Sequence, residues 1–250
     1  MAQTLFTGKN IITLQQVGST NDYARELLAS GPVPEGTLII ARAQTAGRGQ
    51  QGNAWLSEPD KNLTVSFIFY PDFLEPPNQF YLNMCAALAV KDFAESVVKD
   101  RICIKWPNDI YAGDSKLAGI LIENTIAGNK ITHSIIGIGI NVNQETFSEE
   151  LKNPTSLYLL TAITYNLNTL AELLCLYVEK YYLQLRMRHF NFLARAYTES
   201  LYRYQQTHEF KKGDQIIRGE ICGVSKDGKL ILQSAGKEHR YGFKEIEFLI

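Results

Sequence analysis

Two stretches rich in β-branched residues, Leu117 to Glu123 and Ile131 to Val142, are separated by a turn at Ala127-Gly128-Asn129. Such residues suit a pleated, half-buried surface, and the turn chemistry joins them as a hairpin. The second stretch is also chemically marked. In Gly137-Ile138-Gly139-Ile140-Asn141-Val142-Asn143 the isoleucines alternate with two glycines and two asparagines. A strand has a side-chain period of two, so the isoleucines face a core and the other face is bare. A bare face flanked by amides suits a flat ligand lying on the sheet; a bulged strand is the alternative reading. Gly119, inside the first stretch, points to close approach of another chain or a ligand, although lone strand glycines are usually packing features.

Lys105-Trp106-Pro107-Asn108-Asp109 joins a cation, an aromatic, a rigid turn, an amide and a carboxylate within one short run. The preceding Arg101 to Ile104 reads as a short strand with Ile102 and Ile104 on one face. Pro107 cannot donate to a ladder and biases Trp106 away from the helical region, so the strand stops here. Lys105 then stands at the strand's end, opposite in phase to Ile104. There it is a fixed positive charge for a carboxylate or phosphate, and Asn108 and Asp109 are placed to hold a nucleotide or its metal. The plainer reading is a lysine that ends a strand beside a structural Trp-Pro corner. Lys116 adds a second lysine just before the Leu117 strand.

Upstream, Ile11 to Gln16 reads as a strand. Ser19-Thr20-Asn21-Asp22 has the form of a capping box, followed by a helix burying Tyr23, Ala24, Leu27 and Leu28 and ending at Gly31-Pro32. Caps are common, but three small hydrogen-bonding side chains at a helix N-terminus also suit a polar ligand head. Thr37 to Ala43 is a strand. Gln44 to Asn62 carries Gly47, Gly49, Gly52 and Pro59 and reads as a long irregular loop; such loops are usually lids or binding loops. Gly47 to Gly52 matches G-x-G-x-x-G, yet no helix-forming sequence follows, so a dinucleotide fingerprint is disfavoured. The glycines instead let backbone approach a ligand while Arg48 supplies a charged fork. Leu63 to Tyr70 alternates, with Val65, Phe67 and Phe69 on one side. Gln79 to Lys99 and most of Leu167 to Tyr204 read as helix. From about Thr207 short β segments alternate with turns, including a hairpin signal at Lys226-Asp227-Gly228-Lys229 and a last segment from Tyr241 to Ile250. The reading is a domain over 1–206 and a small β-barrel over 207–250.

The net charge of −1 gives no global basic field for nucleic acid or anionic lipid. No apolar run approaches a membrane span of roughly 20 residues. Met1-Ala2-Gln3-Thr4 lacks the pattern of a signal peptide. Cys85, Cys103, Cys175 and Cys222 are scattered and read as reduced thiols of a cytoplasmic protein. His133, His189, His208 and His239 are dispersed, which disfavours a zinc-type site. There is no nucleophile elbow and no Walker A sequence, so the polar groups point to positioning and charge stabilisation.

Taken in order, several blocks resemble the biotin protein ligase family. They are Ser19-Thr20-Asn21, Gln44 to Gly49, Trp55, Lys105 to Asp109, Lys116 to Glu123 and Gly137 to Val142. The resemblance implies an α/β (α+β) fold: a mixed sheet backed by helices, with a core like that of class II aminoacyl-tRNA synthetases, and a C-terminal SH3-like barrel. It implies ATP-dependent formation of biotinyl-AMP, then transfer of biotin to a lysine of the carboxyl carrier domain of a carboxylase. Lys105 and Arg48 take the catalytic roles. Ser19, Thr20, Asn21 and Gln44 bind the ureido end of biotin, with Gly119, Gly137 and Gly139 leaving space for it. Gly47, Arg48, Gly49, Gln50 and Lys105 also bind biotin, and Arg48 with its neighbours closes over the adenylate phosphate. Trp55 packs near adenine, and Asn108, Lys116 and Asn141 hold phosphates, metal or nucleotide. Magnesium comes with ATP, near Asp109 or Asn141, without a protein ligand cluster. The first block begins near residue 10, which fits a family form without an N-terminal DNA-binding domain. Monomer and homodimer both stay open.

One departure stands out: family loops commonly continue Gly-Arg-Gly-Arg, and here Gln50 replaces the second arginine. Two other readings remain, a lipoate or octanoate ligase or transferase and a non-catalytic biotin sensor. The Lys105 block disfavours both.

Overall fold

A computed structural model describes residues 3–249. Met1 and Ala2, from the expected unprocessed start, and Ile250, from the last expected β segment, lie outside the described residues. The first part of the chain forms β1 (Ile11–Val17), α1 (Thr20–Ser30), β2 (Thr37–Gln44), β3 (Leu63–Phe69), α2 (Phe80–Val97) and β4 (Ile102–Lys105). Next come β5 (Asp109–Ala112), β6 (Ser115–Ala127) and β7 (Lys130–Ile140). Three helices follow, α3 (Leu157–Thr161), α4 (Leu167–Arg186) and α5 (Phe190–Glu199). The chain ends in β8 (Thr207–Lys212), β9 (Gln215–Val224), β10 (Leu230–Ser234), β11 (Lys237–Tyr241) and β12 (Glu247–Phe248).

The first seven strands make a mixed sheet in the order β1-β2-β3-β7-β6-β5-β4, parallel between β1 and β2 and antiparallel elsewhere. The β6–β7 hairpin forms as expected; β6 runs longer at both ends, β7 stops at Ile140, short of Val142, and the turn closes on Gly128-Asn129 alone. Its register lines Gly119 up with Gly139 and Leu121 with Gly137, while Ser66 on β3 pairs with Gly137 from the other side. Paired residues share a face. Ile120, Ile138 and Val65 therefore lie together on the opposite face, in one core with residues of α2 and α4. The glycine face is covered in part by α1, whose Ala24 packs with Ile39, Ile68 and Ile135. The rest of that face is left for a cavity.

The last five strands form an antiparallel sheet in the order β11-β10-β9-β8-β12, with the Lys226–Lys229 turn between β9 and β10. Its apolar residues Phe210, Ile221, Leu230 and Leu232 are buried and continuous with the main core.

Four local expectations need correction. Ser19 takes the N-cap position but its side chain makes no cap bond. The reciprocal capping box fails, Asp22 being held instead by Arg25 at 2.9 Å and Arg48 at 2.6 Å. The helical stretch from Leu167 splits, because Arg188 adopts a left-handed φ of 58° between α4 and α5. Beyond α5 the chain turns and touches β4 through a single parallel bridge at Leu201: Ile104 N donates to Ser200 O and Tyr202 N to Ile104 O, each at 2.8 Å. That covers a sheet edge that would otherwise be open. Finally, β5 and α3 are extra elements. β5 is a four-residue strand returning directly from the Pro107 turn, too short to carry a readable period.

Candidate active site

A cavity of about 660 Å³ lies on the glycine face of the large sheet. Its walls come from the start of α1, the 44–55 loop, the β4–β5 turn, β6, β7 and two segments near 149–153 and 243–249. It has a polar end, an aromatic floor and a cationic end.

At the polar end, the backbone N–H of Thr20 donates to Gln44 Oε1 at 2.7 Å. Ser66 Oγ lies 2.8 Å from Thr20 Oγ1 and 2.6 Å from Asn21 Oδ1. An amide oxygen only accepts, so the Ser66 proton goes to Asn21 and Thr20 supplies its own to Ser66. Asn21 Nδ2 donates to Glu123 Oε2 at 2.8 Å. Ser19, Thr20, Asn21 and Ser66 are all buried. A side chain at Gly137 would collide with the Asn21 carboxamide, so the clearance at this glycine is taken by Asn21.

Trp55 forms the floor. A Cβ at Gly139 would collide with its indole at Cε2, and one at Gly119 would sit 3.3 Å from it. Its Nε1 is shielded from solvent and has no partner. The loop that carries Trp55 is more regular than its sequence suggests. Trp55 N donates to Gly47 O at 2.9 Å, Gly49 N donates to Asn53 O at 2.7 Å, and Arg48 bridges to Ala54. Gly47 is required because a Cβ would strike the Trp55 carbonyl. Gly47 itself does not line the cavity, whereas Arg48, Gly49 and Gln50 do. Arg48 binds Asp22 at 2.6 Å and Glu123 at 3.0 Å, and Arg25 reaches the same carboxylates at 2.9 and 2.8 Å. Burial opposes the Arg48 charge, but the two carboxylates outweigh it and raise the guanidinium above its ordinary value.

The cationic end is the β4–β5 turn. It is tied down from three directions: Asn83 Nδ2 and Tyr197 OH donate to Pro107 O at 2.6 and 2.7 Å, and Trp106 Nε1 donates to Gly228 O at 2.9 Å. Asn108 clamps the turn to β6 through the backbone of Ile120. The half-buried Lys105 ammonium donates to the Tyr111 hydroxyl at 3.2 Å, and no carboxylate among the described residues lies within ion-pair distance. Desolvation lowers its pKa against the partial support of Asp109, and Lys116 lowers it further. Lys116 instead pairs with Asp109 at 2.7 Å and sits 6.0 Å from the Trp55 ring.

Most expected residues therefore converge on one cavity. Asn141 does not: it is buried, its Nδ2 donates to Thr155 O at 2.9 Å, and it is absent from the wall. Ser66, Tyr111 and Phe248 belong to the arrangement without a signal of their own in the sequence, while Asp22 shows there only as a capping residue and Glu123 only as the end of the Lys116–Glu123 block. Ser66 is in phase with the bare face once β3 is known to pair with β7. Among the described residues, no group of three His, Cys, Asp or Glu side chains is placed to hold a metal. No helix there is long and apolar enough to cross a membrane.

Residues 13–141 match the biotin/lipoate A/B protein ligase family. The chain is 30% identical to the bifunctional ligase/repressor BirA of Escherichia coli K12 over 237 residues, 92% of this chain and 71% of that protein. It is 40% identical to BirA of Bacillus spizizenii over 154 residues, 60% of this chain and 46% of that protein. The matched part thus spans less than half the length of the Bacillus relative. Among solved structures, the biotin protein ligase from Aquifex aeolicus in complex with biotin and ATP superposes with a TM-score of 0.80. That pair is 27% identical and covers 96% of this chain and 99% of the other. With the family match spanning more than half of the chain and the Escherichia coli relative aligned over nearly all of it, the chain belongs to the biotin/lipoate A/B protein ligase family.

Proposed function

We propose that this protein is a biotin protein ligase. In the first step the biotin carboxylate oxygen attacks the α-phosphorus of ATP; the bond to the bridging oxygen breaks and pyrophosphate leaves with its electron pair. In the second, a lysine amine on a carboxylase's carrier domain attacks the acyl carbon of biotinyl-AMP; AMP leaves and the amine gives up its proton. The observation that carries this reading is the Lys105 ammonium, half-buried on the cavity wall and, among the described residues, without a carboxylate partner. Two anions must meet in the first step. At about 4 Å and an effective dielectric near 20, one ammonium–anion contact is worth about 4 kcal/mol, the same size as the anions' repulsion. A fixed, partly desolvated cation offsets that repulsion without reorganising.

The amide-lined end suits a cyclic urea, with Gln44, Thr20 and Asn21 in reach. Arg48 and its loop close one side of the cavity, which favours retention of a hydrolysable anhydride. Its guanidinium must leave Asp22 and Glu123 to reach a phosphate. Magnesium is read as part of the Mg–ATP substrate: Asp109 is engaged by Lys116, Asn141 lies off the wall, and the described residues offer no ligand cluster. The Aquifex aeolicus structure, named as a biotin protein ligase in complex with biotin and ATP, supports biotin over lipoate.

The test is transfer of labelled biotin to a purified carrier domain. Label on the carrier only with ATP present, accompanied by pyrophosphate release, is the expected result. Adenylation of lipoate but not biotin would overturn the choice of substrate.

A further inference from the structure

Phe248 comes from β12, the short edge strand of the C-terminal sheet, yet its ring reaches the cavity and lies 5.5 Å from the Lys105 ammonium. The Tyr111 ring lies 5.0 Å from the same ammonium, and its hydroxyl accepts the ammonium's hydrogen bond. Both rings are braced. Tyr111 stacks on Tyr202 with centroids 5.6 Å apart, and Tyr202 meets Phe248 at 6.2 Å. Tyr202 is bonded to Asp114 through its hydroxyl, and the Arg203 guanidinium covers its ring at 4.8 Å. Arg203 also donates to Leu249 O at 2.7 Å, which ties the strand carrying Phe248 to the segment bridged to β4.

A cation over an aromatic face is attracted by the ring quadrupole, and more so where water is thinned out. An ammonium held by a counter-ion is already neutralised and has little left for a substrate. One held by rings and a neutral phenol keeps its charge available. Burial, with Asp109 adding to it, keeps Tyr111 protonated by raising its phenol, so it serves as a neutral acceptor. We propose that Tyr111 and Phe248 are positioning residues for Lys105: they hold its ammonium in place without spending its charge, and through Phe248 the C-terminal sheet sets the adenylation step. This rests on the ligase reading above.

Among the described residues, the charged and titratable groups acting on Lys105 are Asp109 from β5, Lys116 from β6, Lys152 from the 149–153 segment, Arg203 beyond α5, and the Tyr111 phenol itself. The four charged side chains are left unaltered in the test, and only Tyr111→Phe removes the phenol. Phe248→Leu keeps apolar bulk but removes the ring; Tyr111→Phe keeps the ring but removes the acceptor. The assay is pyrophosphate release from biotin and ATP, followed against pH. Each variant loses an interaction that favours the charged ammonium, so the alkaline limb of kcat moves to lower pH. For Phe248→Leu, kcat at neutral pH falls about three- to thirty-fold, the range for a cation–π contact. KM for biotin changes less than kcat. Phe248→Tyr, which restores a ring, returns the limb towards the wild-type position. A lower rate with an unmoved limb in both variants, or unchanged kinetics, overturns the proposal. If Phe248→Leu melts, Tyr111→Phe decides alone by the position of its limb. Failure of the wild-type protein to release pyrophosphate would instead remove the ligase reading.

Discussion

Gly139→Ala isolates the contact between the sheet and the 44–55 loop. The backbone at Gly139 is not in the left-handed region, so the substitution is judged by space alone. The added carbon would come far closer to the Trp55 indole than contact allows. β7 is a central strand and cannot yield, whereas Trp55 rides on a loop. The cheaper outcome is that the indole leaves the floor. Inserting one methyl into a packed contact costs about 1–3 kcal/mol. As a population shift that is about a five- to 150-fold loss of the closed loop relative to the open one. The chain has two tryptophans, and the other, Trp106, is buried and held in the β4–β5 turn by its bond to Gly228 O, so the substitution acts on Trp55 emission. Emission from Trp55 should move to the red and become open to acrylamide, with the fold intact by circular dichroism. KM for ATP should rise within the same range. Gly119→Ala, whose new carbon only touches the ring at 3.3 Å, should show a smaller change. Gly137→Ala should disturb the Asn21 end and leave Trp55 emission unchanged. A folded Gly139→Ala with wild-type emission and quenching would refute the placement of Trp55.

Lys105→Ala should keep the fold and lower adenylation about 100- to 1,000-fold, the usual loss for one preorganised charge at a transition state; near-normal pyrophosphate release would refute its role. Gln50→Arg should slow release of biotinyl-AMP, since arginine restores a charge and a bidentate fork at the loop; equal release rates, measured by trapping the free intermediate, remove the idea. Glu179 accepts the backbone N–H groups of Leu5, Phe6 and Thr7 at 2.6, 2.9 and 2.9 Å. Glu179→Ala should cost about 2–4 kcal/mol in urea unfolding, because the N–H groups lose a charged acceptor. Burial alone would raise this carboxyl, but the three N–H bonds win and lower it below 4.5. Its stabilisation is therefore complete above that value and lost as pH falls through the lower folded-state value. An acid-unfolding midpoint shared by wild type and Glu179→Ala would contradict this.

Much of the site is legible in the chain because strand chemistry is local. Gly137 to Asn143 announces its two faces by alternation alone, and Pro107 announces where β4 must stop. What those features bring together is not local. Ser66 reads as one polar residue in an apolar strand until its partner β7 is known. The clearance at Gly137 and Gly139 is visible, but its occupants Asn21 and Trp55 are set by the docking of α1 and the loop. Asp22 has the spacing of a capping residue, yet two arginines outcompete the backbone for it. Asn141 alternates with the glycines but lies past the end of β7, where the chain turns towards Thr155. Phe248 has no signal at all, since it reaches Lys105 from the far end of the chain.

The most direct measurement is a crystal structure with a non-hydrolysable biotinyl-AMP analogue bound. The account predicts Lys105 Nζ within hydrogen-bond reach of both the acyl oxygen and the phosphate mimic, with Tyr111 and Phe248 still around it. A Lys105 side chain turned to solvent, away from the acyl–phosphate junction, would contradict it.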